Sequence, residues 1–191
     1  MLTILMSIES EDDRAFVASL YEKYAKHMKA IAYRILKSDY DAEDCVHETV
    51  VLIIRKLDTF KDIADESYLK WLILLVCKNT ALNMYKRNQR RHDRETSLYF
   101  QETDDSDEAL IDIPDTSALP NEIAAEEDQI RFIMSLINRL DDKYRNVIML
   151  KYRGWKNNDI ADLLMISPEA VRQRLLRAKH MIMNMKGGNT L

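Results

Sequence analysis

Residues 157–179 constrain this chain most, because two short amphipathic segments there flank a break at residues 165–167. The apolar residues of the first segment recur at helical spacing: Ile160, Ala161, Leu163 and Leu164. After the break, Ser167 is a favoured N-cap and Pro168 suits the first position of a helix. The pattern predicts a helix-turn-helix. The turn position that often holds glycine is Met165, where a left-handed backbone would cost roughly 1 kcal/mol.

The second segment has an apolar side and a basic side. Val171 and Leu175 share the apolar side, with Leu176 and Ala178 beside them. A short helix that presents arginine and glutamine fits the major groove of DNA. A helical hairpin with a solvated basic face is the alternative, which the coincidence of cap, turn and basic face disfavours. The predicted DNA-binding residues are Ser167, Glu169, Ala170, Arg172, Gln173, Arg174, Arg177 and Lys179.

The composition favours an all-α protein. Glycine and proline are scarce, at three each in 191 residues, and 47% of the residues are apolar. The longest apolar run, residues 71–77, is too short to cross a bilayer. Residues 1–8 contain no lysine or arginine and make a poor signal peptide, so we expect a cytoplasmic protein without membrane insertion. Cys45 and Cys77 lie on apolar helical stripes, where core packing is the default.

The charge is unevenly distributed. Residues 96–128 hold 11 acidic and no basic residues, whereas residues 129–191 hold 12 basic and 5 acidic residues. High charge with few large apolar groups is typical of a linker. We therefore predict two helical domains, 1–95 and 129–191, joined by an acidic flexible linker at 96–128. One hypothesis from this asymmetry is that the linker shields the basic domain when no partner is bound.

Three helical stripes organise the first domain, and the third runs into a basic end. Asp39 and Asp41 are expected to cap the second helix, and residues 58–66 are expected to form a loop. In the second domain, Gly154 is the expected C-cap before the helix-turn-helix. Residues 78–94 contain six basic and one acidic residue. Such a face suits a nucleic-acid strand with unstacked bases, or else it is a solvated helix end favoured by the dipole.

Five acids without an intervening base lie between residues 39 and 48: Asp39, Asp41, Glu43, Asp44 and Glu48. They serve the helix dipole or form a docking face for a basic protein. The one pattern that suggests an enzyme is Asp44-x-x-His47. It is half of a helix-bundle metal site, and the second acid-x-x-His that such a site needs is absent from the sequence. No Walker loop, nucleophile elbow or zinc motif is present. We therefore expect that the protein is not an enzyme and that it has no cofactor and no metal site.

The two helical blocks together resemble a bacterial RNA polymerase sigma factor of the extracytoplasmic-function group. The first block carries Leu20-Tyr21-x-x-Tyr24, Asp41-Ala42-Glu43-Asp44, Trp71-Leu72 and Asn79-Thr80-Ala81-Leu82-Asn83. The second carries Tyr144-Arg145-x-Val147, Asp159-Ile160-Ala161, Val171-Arg172 and Arg177-Ala178-Lys179. The order of these pieces, with an acidic stretch between the blocks, makes the resemblance specific.

The resemblance implies partners and roles. A sigma factor directs core RNA polymerase to promoters and assists their opening, with an anti-sigma factor as a further partner. The clamp of core polymerase would be bound by Asp41, Glu43, Asp44, His47, Glu48 and Arg55. The −10 promoter element would be captured by Phe60, Lys61, Lys78, Asn79, Asn83, Lys86 and Arg87. The helix 168–179 would read the −35 element. A stand-alone helix-turn-helix regulator is the alternative function.

Overall fold

The computed structural model describes residues 8–96 and 127–187. Within these ranges the chain forms helices and no strands. The first four helices are α1 (Glu11–Leu36), α2 (Asp39–Arg55), α3 (Leu57–Lys61) and α4 (Glu66–Thr96). The next four are α5 (Glu127–Asn138), α6 (Asp142–Tyr152), α7 (Asn157–Leu164) and α8 (Pro168–Gly187). The prediction of an all-α chain is confirmed.

The chain divides into two units, with the boundary between Leu119 and Pro120. The boundary falls among residues 97–126. Most of the predicted linker therefore lies outside the described residues, and its shielding of the basic domain stays a hypothesis. In the described residues, no helix is long and apolar enough to cross a membrane.

The first unit has its core between α1, α2 and α4, which pack against one another. Each helix contributes residues spaced by three or four positions, as the 3.6-residue repeat requires. The fully buried side chains at this junction include Met28, Ala32, Ala42, Leu72, Ile73 and Val76. Both cysteines lie here, and their burial confirms the expected core packing. A hydrogen bond with Cys77, together with burial, raises the pKa of the Cys45 thiol.

The connection between α1 and α2 takes only two residues. Lys37 adopts a left-handed conformation, with φ of 56°, and its N–H donates to the Tyr33 carbonyl at 2.9 Å. Ser38 then caps α2, because its hydroxyl accepts from the Asp41 N–H at 3.2 Å. The prediction of Asp39 and Asp41 as caps was wrong. Both acids lie in the first turn instead, where they favourably meet the positive end of the helix.

The expected loop at residues 58–66 was also partly wrong. Residues Leu57–Lys61 form the short helix α3, and only residues 62–65 separate it from α4. Leu57 and Phe60 are three positions apart and both buried, with Phe60 fully enclosed. A helix of five residues is too short for its period to be visible in the sequence.

The second unit packs α8 against α5, α6 and α7. Leu140, Tyr144 and Ala178 form one buried cluster, with Ile148, Ile182 and Met185 packed against it. The end of α6 follows the prediction: Gly154 has φ of 88° and donates its N–H to the Lys151 carbonyl at 3.1 Å. The Trp155 N–H reaches back to the Leu150 carbonyl at 3.2 Å, which completes a Schellman motif.

The turn between α7 and α8 is a second Schellman motif, built without glycine. Met165 has φ of 53° and donates its N–H to the Asp162 carbonyl at 3.3 Å, while the Ile166 N–H reaches the Ala161 carbonyl at 3.0 Å. The left-handed conformation expected at Met165 is therefore confirmed. Ile160, Ala161, Leu163 and Leu164 are all buried, as expected of the first helix of the motif.

Substitutions at Met165 should follow the backbone cost of the left-handed turn. Met165→Gly should raise the free energy of unfolding of the second unit by up to about 1 kcal/mol, because the relief of strain outweighs the entropy that the unfolded chain gains. Met165→Val should lower it, because a β-branched residue tolerates positive φ poorly. Urea unfolding followed by Trp155 fluorescence, in a Trp71→Phe background, reports on this unit alone.

The matched control is Lys37→Gly, which relieves the left-handed position that the structure describes in the first unit and should leave the Trp155 transition unchanged. Equal stability of the Met165→Val and Met165→Gly proteins would contradict the strain argument.

Candidate nucleic-acid interface

Helix α8 begins as the sequence predicts. The Ser167 hydroxyl accepts from the Ala170 N–H at 3.1 Å, and its carbonyl accepts from the Val171 N–H at 3.1 Å. Pro168 is the first helical residue, where its missing N–H costs nothing. The cap therefore fixes where the helix starts and which residues follow on each face.

The outward face of α8 is polar and basic. Arg172, Gln173, Arg177 and Lys179 are exposed, as are Ser167 and Glu169, while Ala170 is half-buried. Arg172 is held by an ion pair along the helix, with its Nε 2.9 Å from Glu169 Oε2. Pairing at this spacing is weak at an exposed site, so Glu169 orients the guanidinium without locking it. The face offers bidentate donors of the kind that guanine accepts.

Two residues of α8 lie differently from the prediction. Arg174 is half-buried and makes contacts within the protein, because it is three residues after the buried Val171 and four before the buried Ala178. Leu176 was placed beside the core, yet 60% of its surface is exposed. The helix turns by about 100° per residue, and Leu175 takes the half-buried position instead.

A second candidate surface follows one face of α4. Asn79, Asn83, Lys86, Arg87 and Arg90 recur at intervals of three and four residues, which places them on one side of the helix. All are exposed except Asn79, which is half-buried and donates its amide to the Leu75 carbonyl at 2.7 Å. Lys78 is half-buried too. None of the residues from 85 to 90 is buried, so this part of the helix presents its polar groups to solvent.

In the structure Phe60 does not lie on this surface, and Lys61 forms an ion pair within the protein. Phe60 has no exposed area, so in this conformation it cannot stack on a base, and its predicted role at the −10 element was wrong. Its burial with Leu57 explains why: α3 turns its apolar side into the core. Lys61 lies 2.6 Å from Asp13, and this hydrogen bond raises the pKa of the lysine.

The acidic run on α2 is partly neutralised by two basic side chains. Lys29 bridges from α1 to Asp39 at 3.2 Å and to Glu43 at 2.7 Å, and these hydrogen bonds, Glu43 first, raise its pKa. Arg87 on α4 lies 3.3 Å from Glu48. The acidic face of α2 and the basic face of α4 therefore meet at the Glu48–Arg87 ion pair.

The remaining predicted docking residues stay accessible on α2. Asp41, Asp44 and His47 are half-buried, and Arg55 is exposed in the last turn. The sequence analysis did not include Tyr40 in the docking face, although 74% of its surface is exposed. Tyr40, Asp44 and His47 are spaced by four and three residues, which places them in one stripe. A tyrosine in the first turn of a helix, off the apolar period, was the available signal.

The two units match two different family models. Residues 20–91 match sigma-70 region 2, and residues 132–182 match sigma-70 region 4. An ECF RNA polymerase sigma factor, SigG of Mycobacterium tuberculosis, is 26% identical over 190 residues and covers 93% of this chain. The chain belongs to the sigma-70 family, in its ECF group. Region 2 includes α2, α3 and most of α4, and region 4 includes α6, α7 and the exposed face of α8.

Other relatives match most of the chain as well. The ECF sigma factor SigX of Bacillus subtilis is 22% identical over 154 residues, which cover 80% of this chain and 74% of that protein. The ECF sigma-E factor of Haemophilus influenzae is 25% identical over 178 residues, which cover 93% of this chain and 90% of that protein. The chain spans about half the length of the mycobacterial relative. A structure of CnrH with the cytosolic domain of CnrY aligns at a TM-score of 0.33 and 19% identity, over 91% of this chain and 89% of that one.

Proposed function

We propose that this chain directs core RNA polymerase to specific promoters in the cytoplasm and assists their opening, without a catalytic residue of its own. The observation that carries the proposal is the union of region 2 and region 4 in one chain, with Arg172, Gln173 and Arg177 exposed on the recognition helix. Binding energy gained at two DNA elements would offset the cost of separating the strands.

The second unit is assigned to the −35 element. A recognition helix enters the major groove with its first turns against the base edges. Arg172, Gln173 and Arg177 are exposed within the first three turns of α8, and arginine and glutamine pair with guanine and adenine respectively. Lys179 and Ser167 are exposed as well and would hold phosphates, which fix the register. Arg174 is half-buried and acts mainly within the fold.

The first unit is assigned to the −10 element and to the polymerase. The face of α4 from Asn79 to Arg90 combines amides with cations, which suits a separated strand. The face of α2 that carries Asp44, His47 and Glu48 would dock on a basic surface of the polymerase clamp. An anti-sigma factor as a further partner stays a prediction.

The decisive test mixes the full chain with core RNA polymerase. We expect the two to co-elute in size exclusion, and the holoenzyme to transcribe from a linear promoter that core polymerase alone ignores. A tight dimer of this chain on a palindromic site, with no binding to core polymerase, would instead identify a stand-alone regulator.

Arginine substitutions test the groove assignment within the holoenzyme. Arg172→Ala and Arg177→Ala should each lose about 1–3 kcal/mol of promoter binding if they contact bases, with relaxed specificity at one position. A phosphate contact would mainly flatten the salt dependence, by about one unit of slope. Binding is measured by fluorescence anisotropy across a salt series.

Lys186→Ala is the matched control for that series. It removes the same charge from an exposed site near the end of α8 and should leave specificity unchanged. If both arginine variants behave like the Lys186 variant, α8 does not read the groove.

A charge swap tests the docking face separately from folding. Glu48→Arg should weaken core polymerase binding by at least roughly tenfold, because like charges then meet across the interface. The double variant Glu48→Arg/Arg87→Glu restores an ion pair within the protein at the 3.3 Å contact but keeps the wrong charge on α2. We expect it to bind polymerase as poorly as the single variant in an assay without DNA.

Glu22→Lys, at an exposed position on α1 outside the acidic run, is the control and should bind normally. Recovery of binding in the double variant would assign Glu48 to the internal ion pair alone.

A further inference from the structure

Leu176 is an apolar residue in the middle of a polar surface. It is 60% exposed, and the residues three and four positions before it are Gln173 and Arg172, both exposed. Residues at these spacings lie on the same side of a helix. Leu176 therefore shares the outward face of α8 with two of the three side chains assigned above to base contacts.

Exposure alone does not make a leucine functional, because soluble proteins leave many apolar groups in water. The position of Leu176 is what matters. It is the ninth residue of α8, about 12 Å along the axis from the first, within the turns that a recognition helix inserts into DNA. The next exposed apolar residues on the helix are Met181 and Met183, five and seven positions later, and polar residues surround Leu176 on this face.

The chemistry of the major groove offers one apolar partner. Each base pair presents hydrogen-bond donors and acceptors there, and only thymine adds a methyl group. Leucine cannot satisfy the polar groups of other bases and would desolvate them at a cost. It gains by covering a thymine methyl, since burial removes apolar surface of both groups from water.

We propose that Leu176 reads a thymine methyl in the −35 element, beside a base pair contacted by Arg172 or Gln173. The inference rests on the proposed function, because it needs α8 in the groove. It adds the identity of one base: the −35 element of this factor contains a thymine whose methyl group, rather than its O4, determines binding at that position.

The test uses the holoenzyme and a −35 element selected from random DNA at one fixed salt concentration. Each thymine of the selected element is replaced in turn by deoxyuridine, which removes the methyl group and keeps base pairing. One replacement should weaken binding of the wild-type holoenzyme about fourfold, the effect of one buried methylene-sized group. The same replacement should have no effect on a Leu176→Ala holoenzyme, so that the two changes are not additive.

Met183→Ala is the matched control, because it shortens an exposed apolar side chain on the same helix. The Met183 variant should retain the full sensitivity to deoxyuridine. Alanine favours helix, and circular dichroism checks that α8 is intact in both variants.

Three results would overturn the proposal. One is a wild-type holoenzyme insensitive to every deoxyuridine replacement. Another is a Leu176→Ala holoenzyme that keeps the same sensitivity. The third is weaker binding of Leu176→Ala to core polymerase without DNA, which would make this face a protein contact. Failure of the proposed function is distinguishable, because random DNA would then yield no −35 element at all.

Discussion

The packing of α8 on the rest of the second unit determines which of its side chains can reach DNA. Val171 and Ala178 are fully buried, and Ala178 lies in a cluster with Leu140 and Tyr144. The small alanine allows the helices to approach closely there, and a rigid seam fixes the rotation of the helix about its axis. A rotation by one residue would exchange Leu175 for Leu176 and bury a different arginine. The outward face is therefore a consequence of the core.

The Schellman turn at Met165 helps to fix the same geometry at the start of α8. It sets the direction in which the chain leaves α7, and Ser167 then fixes the first turn of α8. In the first unit the comparable constraint is the Glu48–Arg87 ion pair, which joins two surfaces with different assigned partners. A single substitution at either residue changes the charge of its own surface and also removes the ion-pair partner of the other residue. The swapped pair restores the ion pair, so it separates the loss of that pair from the change of surface charge.

The sequence predicted the elements that extend over several turns and failed where they are short or lie at a boundary. The stripes of α1, α2 and α4 were visible because each repeats over many turns, and Gly154 and Ser167 were visible because caps have specific chemistry. Phe60 was misplaced because five residues show no period. Leu176 was misplaced because Leu175 and Leu176 are equally apolar, and the position of the partner helices decides between neighbours. Arg174 was misplaced for the same reason. Its charge alone does not keep a long side chain from packing its apolar stem between two helices.

The small size of each candidate surface is consistent with a factor that binds through several weak contacts at once. The proposal assigns three side chains of α8 to base contacts, and Arg172 would have to exchange its bond with Glu169 for one with DNA. Such a surface has modest affinity alone. In the proposed function, two surfaces on one chain that are both anchored on the same polymerase would convert the second binding event into an intramolecular one. Because the gain depends on simultaneous engagement, loss of either surface should abolish more binding than its own contacts supply.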